Sequence, residues 1–135
     1  MVEMSAVYLG DKHCELQHGP SQSKIETDAP KDNNGRGENF SPTDLVGAAL
    51  ASCILTTMAI MAEKDGLSIK GAKARVTKEM QASPRQIAKL PVTVDMPAGL
   101  SATDRKRLEA AAHTCPVHRS LNADVQAPIS FNYPD

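Results

Sequence analysis

Ser41-Pro42-Thr43-Asp44-Leu45-Val46-Gly47-Ala48-Ala49-Leu50-Ala51-Ser52-Cys53-Ile54-Leu55-Thr56-Thr57-Met58-Ala59-Ile60-Met61-Ala62-Glu63-Lys64 reads as one capped helix. Ser41 can accept from backbone N–H groups of the next turn, Pro42 suits the first helical position, and Asp44 stands where a capping-box acid belongs. Asp65-Gly66 supplies the left-handed stop. The run Leu45 to Ala62 approaches the length of a membrane span, but Ser52, Cys53, Thr56, Thr57 and its many small residues predict a buried central helix instead.

Toward the amino terminus, Val2, Met4, Ala6 and Tyr8 alternate with polar neighbours, and Cys14, Leu16 and His18 do so less cleanly. This pattern predicts a β-hairpin turning near Gly10-Asp11. A third strand is expected over 23–27, and the turn-formers between Asp28 and Gly37 predict a loop. On the other side of the helix, alternation over 72–80 and again over 89–96 predicts two half-buried strands, antiparallel about Ser83-Pro84. Pro91 is tolerable only where its missing N–H faces no partner. Ser101 and Asp104 repeat the capping pattern ahead of a stripe of Leu108, Ala111 and Ala112. Pro116 opens a further short helix with Cys115 as its cap, and Val125, Ala127, Ile129, Phe131 and Tyr133 form one face of a closing strand. The expected order is βββ-α-ββ-αα-β, an α+β class, in a single domain over 1–135.

The chain has 135 residues, of which 41% are hydrophobic, enough for a core that needs neither disulfide nor metal. Its 15 Lys and Arg nearly balance 16 Asp and Glu, so long-range attraction to a polyanion is not expected. Without Trp, and with two Tyr and two Phe, it lacks platforms on which unpaired bases stack. Neither nucleic acid nor membrane is an expected partner. The absence of a basic leader followed by an apolar signal core predicts a cytoplasmic location.

Chemistry concentrates at two cysteines. A thiolate needs nearby positive potential. Cys115, in His113-Thr114-Cys115-Pro116-Val117-His118-Arg119, has it from the N–H groups of the helix it caps and from flanking His and Arg. Cys53, mid-helix, has only Ala49, Leu50, Thr56 and Thr57 at helical spacing. Local physics therefore ranks Cys115 as the more acidic thiol. The plainer reading of either is a buried core residue, and of Cys14 a structural one. His13 and His18 read as surface or interface residues, and Asp44 as a helix cap. His113, Cys115 and His118 also resemble half of a zinc site, which normally needs four ligands.

The segment Phe40-Ser41-Pro42-Thr43-Asp44-Leu45 through Ser52-Cys53 resembles the lead-in to the first cysteine of the OsmC/Ohr family of OsmC-like and organic hydroperoxide resistance proteins, and Cys115-Pro116-Val117 resembles the second. The branch carrying Ser-Pro-Thr-Asp-Leu is the nearest in appearance. The resemblance implies an intertwined α+β homodimer with central helices packed between sheets. It implies thiol-dependent reduction of organic hydroperoxides, with Cys53 attacking, Cys115 resolving through an intramolecular disulfide, no cofactor, and an external dithiol reductant. The alternative it leaves open is a redox sensor or small-molecule binder with little turnover. The family's Glu, ten residues before the first cysteine, is Thr43 here, with Asp44 about 100° further round the helix. The family's Arg from the amino-terminal strands has no counterpart before Arg36, so Lys12, His18, Lys24, Arg36 and Arg85 are the candidate activating or pocket cations.

Overall fold

The computed structural model describes residues 1–134 as eight strands and three helices with one 3-10 turn. The strands are β1 (Met4–Gly10), β2 (His13–His18), β3 (Lys24–Asp28), β4 (Lys73–Val76), β5 (Glu79–Ala82), β6 (Arg85–Lys89), β7 (Val92–Asp95) and β8 (Ile129–Asn132). The helices are α1 (Pro42–Lys64), α2 (Ala102–Ala112) and α3 (Pro116–Ser120). The architecture is mixed α+β. Contacts divide it into two compact units, Met1–Val46 and Gly47 onward, with α1 running through the boundary.

In the first unit, β1, β2 and β3 form an antiparallel sheet in that order. The β1–β2 turn needs three successive left-handed residues, Gly10 (φ 91°), Asp11 (φ 53°) and Lys12 (φ 57°), and glycine and aspartate tolerate that region better than most residues do. At the start of α1 the capping box closes in both directions. The Asp44 N–H donates to Ser41 Oγ at 3.0 Å, and the Ser41 N–H donates to Asp44 Oδ2 at 2.9 Å. β1 leaves Met4, Val7, Tyr8 and Leu9 exposed.

In the second unit, α1 buries the stripe Gly47, Leu50, Ile54, Met58 and Ala62, the spacing of one helix face. Gly47 permits close packing, because a β-carbon there would lie 3.4 Å from Leu90 Cδ2 and 3.7 Å from Val76 Cγ2. The expected burial of α1 thus holds along this stripe, while Ile60 on another face is 59% exposed within the chain. Val92, Val94, Met96, Leu108, Ala111 and Ala112 complete much of the core.

Each of the two strands expected between the helices is in fact split, giving four. The hairpin turns at Ser83-Pro84 as expected, with β5 paired to β6 and β4 to β7. Pro91, lacking an N–H, interrupts the ladder between these pairs, and its carbonyl accepts from Thr77 N–H at 3.2 Å. The closing strand is shorter than the expected 125–133. Only Ile129–Asn132 pairs continuously, parallel to β7, with an isolated bridge from Gln126 to Lys89 upstream and Pro128, again without an N–H, between them. In α2, Ser101 Oγ accepts from the Asp104 N–H at 3.1 Å, and the three stripe residues are buried. Tyr133 ties the chain beyond β8 to α2, its hydroxyl donating to Glu109 Oε2 at 2.5 Å and its ring lying 4.2 Å beneath the Arg105 guanidinium.

Candidate active site

The second unit brings together two sulfurs that are far apart in sequence. Cys53 sits half-buried on α1, and Cys115 caps α3 with its side chain fully buried. Both are free thiols, and each shifts the other's acidity. Pro116 at the first position of α3 starts the helix, whose unpaired N–H groups then point at sulfur. The His118 N–H donates to Cys115 Sγ at 3.4 Å, and the Val117 N–H serves both cysteines. Thr57, one turn along α1, places its Oγ1 3.9 Å from Cys53 Sγ.

The acidity ranking expected from sequence is reversed. Burial pushes the Cys53 thiol up, but hydrogen bonds from Cys115, the Val117 N–H and Thr57 outweigh it and leave the thiol more acidic than usual. Cys115 is pushed up by burial, by its hydrogen bond to Cys53 and by repulsion from a Cys53 thiolate, with the His118 and Val117 N–H groups offsetting only part. The start of α3 therefore does favour a thiolate, as expected. The charge settles on the half-exposed sulfur because the more deeply buried one keeps its proton and donates it. The two titrate as a pair.

Among the described residues no group of three or more His, Cys, Asp and Glu side chains is arranged to hold a metal ion, so the zinc alternative finds no ligand set there. His118 Nε2 instead bonds to the Ala127 carbonyl at 3.0 Å, fixing α3 to the segment before β8, and the His113 ring meets the His118 ring edge-on at 6.2 Å.

The other residues singled out from sequence take these places. Thr43 Oγ1 bonds to Ser41 Oγ at 3.2 Å within the cap, and Asp44 closes the capping box. His18 Nδ1 lies 2.6 Å from Ser21 Oγ at the end of β2. Lys12 is in the β1–β2 turn, and Lys24 reaches Glu15 at 3.5 Å. Arg85 opens β6. Cys14 is half-buried on β2, opposite Tyr8 and Thr27.

Arg36 belongs to a charge network in the first unit that sequence reading missed. Asp28, the last residue of β3 rather than the first of the loop, is completely buried. Its Oδ1 lies 2.7 Å from His13 Nδ1 and accepts from Arg36 Nη2 at 3.0 Å and Nε at 3.2 Å. Its Oδ2 accepts from the Asn39 backbone at 3.0 Å and side chain at 3.1 Å. His13 Nε2 also meets Glu26 Oε1 at 3.0 Å. The signal available beforehand was the hairpin register, which sets His13 directly across from Asp28. Burial pushes the Asp28 carboxyl up, but the hydrogen bonds from His13, Asn39 and Arg36 hold it well below the usual carboxylate range. Hydrogen bonds to Asp28 and then Glu26 raise His13 above its ordinary 6.5, against burial and the Arg36 charge.

These shifts set the sign of a pH effect. The depressed Asp28 stabilises the fold above the ordinary carboxylate value of 3.8, and that contribution falls away in acid. The raised His13 stabilises it fully below 6.5, and that contribution is lost as pH rises through the folded value. The thermal midpoint of the parent should thus decline more steeply as pH rises above 6.5 than that of His13→Gln. Parallel curves would show that the network carries no proton linkage.

Comparison with known proteins sets this geometry in context. The family described as OsmC-like protein matches residues 35–130. The chain belongs to the OsmC-like family. A solved structure from Psychrobacter arcticus 273-4, of a protein whose name refers to osmotic stress induction and detoxification response, is 37% identical with a TM-score of 0.93, over 98% of this chain and 96% of that one. The OsmC organic hydroperoxide resistance protein of Legionella pneumophila shares the fold at 21% identity and a TM-score of 0.75, over 98% of this chain and 96% of that one. The organic hydroperoxide resistance protein OhrB of Bacillus subtilis shares it at 16% identity and a TM-score of 0.69, over 98% of both chains. No curated protein matches the chain. Within this OsmC-like chain the α1 and α3 segments that carried the resemblance are the two that meet at sulfur.

Proposed function

We propose that this OsmC-like chain is a cytoplasmic thiol-dependent peroxidase acting on organic hydroperoxides. The observation that carries the reading is the interacting Cys53–Cys115 pair of free thiols, in which the half-exposed sulfur is the more acidic and the buried one the less. The Cys53 thiolate attacks the distal peroxide oxygen. An S–O bond forms, the O–O bond breaks, and the alkoxide leaves as an alcohol after taking a proton. Cys115 then attacks the resulting sulfenic sulfur, releasing water and forming a Cys53–Cys115 disulfide. An external dithiol restores both thiols by exchange, with no cofactor and no nucleic-acid or membrane partner. The names of the Legionella and Bacillus relatives agree with that substrate class. The exposed Met4, Val7, Tyr8, Leu9 and Ile60 support a homodimer that covers them.

Thr43 favours one second reading, a redox sensor or small-molecule binder with little turnover. Its hydroxyl bonds to Ser41 and brings no carboxylate to steady a cation. Purified protein mixed with a dithiol and with cumene hydroperoxide or hydrogen peroxide separates the two. Many turnovers, faster on the organic peroxide, are expected. One oxidation per chain followed by arrest would establish the sensor instead.

A further inference from the structure

Two threonines stand side by side on α1, and their hydroxyls do different things. A mid-helix threonine usually spends its hydroxyl on the carbonyl three or four residues back. Thr56 does so, donating to the carbonyls of Ser52 and Cys53 at 3.1 Å each, on an exposed face. Thr57 is half-buried, and its Oγ1 lies 3.9 Å from Cys53 Sγ. The geometry is that of an i, i+4 pair, in which the later side chain leans toward the helix amino terminus and covers the earlier one.

We propose that Thr57 is a positioning residue for Cys53, its hydroxyl donating to the sulfur when that sulfur is a thiolate and holding it toward the Cys115 thiol. A hydroxyl donates more strongly to a charged acceptor than to a neutral one, so this bond strengthens on proton loss from Cys53. It also complements the Val117 N–H from another direction, since one donor stands on α1 and the other on α3. The thiolate is then held by neutral groups drawn from two elements of the second unit. The place of Thr57 in turnover rests on the peroxidase reading; its hydrogen bond to sulfur does not.

The test measures site-resolved alkylation of Cys53 by iodoacetamide across pH, in full-length protein carrying Cys14→Ser, with modified peptides quantified by mass spectrometry. Thr57→Val should slow alkylation at neutral pH about two- to tenfold, move the midpoint of the rate profile to higher pH, and leave the alkaline plateau unchanged. Thr57→Ser, which keeps the hydroxyl, should restore the parent profile, and Thr56→Val should leave it unchanged. Thr57→Ala serves as a second hydroxyl-free variant should the valine protein fail to fold. A parental profile in either hydroxyl-free variant overturns the assignment, as does a serine variant as slow as the valine one. Because alkylation needs no peroxide, a protein that follows this pattern yet consumes no hydroperoxide counts against the peroxidase reading alone.

Discussion

Cys53→Ser is expected to abolish peroxide consumption, whereas Cys115→Ser is expected to consume one peroxide per chain, or two under excess oxidant, and then stop. The asymmetry follows from the pair's electrostatics. A serine hydroxyl is a weak nucleophile without a general base to take its proton, and the donors around position 53 are the Cys115 thiol, the Val117 N–H and the Thr57 hydroxyl. These stabilise an anion that is already formed and remove no proton from an alcohol. Position 115 faces a different demand, because its thiol is needed only after the sulfenic acid exists. Its buried, protonated state keeps it from competing for peroxide. With serine at 115 the sulfenic acid has no resolving partner and proceeds to sulfinic acid under excess oxidant. Peroxide loss over many turnovers, with peptide mass spectrometry of Cys53, reads both outcomes. Equal rates in the parent and both variants would reject the mechanism.

Leu50→Ala should lower the stability of the fold by about 2–5 kcal/mol, whereas Ser52→Ala on the same helix should change it by less than about 0.5 kcal/mol. Leu50 is fully buried in the α1 stripe, and Ser52 is exposed. Truncating the leucine removes transfer free energy and leaves a cavity that the surroundings fill incompletely. Glycine and alanine are frequent in α1, so its few large buried residues, Leu50, Ile54 and Met58, carry a large share of its anchoring. Denaturant titration checks the difference. Equal midpoints for the two variants would mean that α1 is not held through this stripe.

Much of the candidate site could be read directly from the chain, for reasons that differ between residues. Ser41, Asp44, Ser101 and Cys115 act on backbone groups within three residues of themselves, so the helix starts follow from spacing alone. The meeting of Cys53 with Cys115 was implied only by a family resemblance, since no local rule joins α1 to α3. The unbroken strands expected over 72–80 and 89–96 failed at Thr77-Lys78 and Leu90-Pro91. Alternation records which face is buried but says nothing about where two ladders must part around a proline. Asp28 was read as a loop residue because aspartate favours turns. The partners that keep it in β3 and buried, His13, Arg36 and Asn39, are brought to it by the hairpin register and by the loop folding back.

By itself the amino-acid order determined the three helices, their caps, the existence of most strands and the two residues able to do sulfur chemistry, because caps and periodicities depend on neighbours along the chain. Tertiary structure alone decided which sulfur is acidic. Thiol acidity depends on depth of burial and on donors supplied across space, and here the deeper cysteine keeps its proton and points it at the shallower one while α3 directs a shared N–H at both.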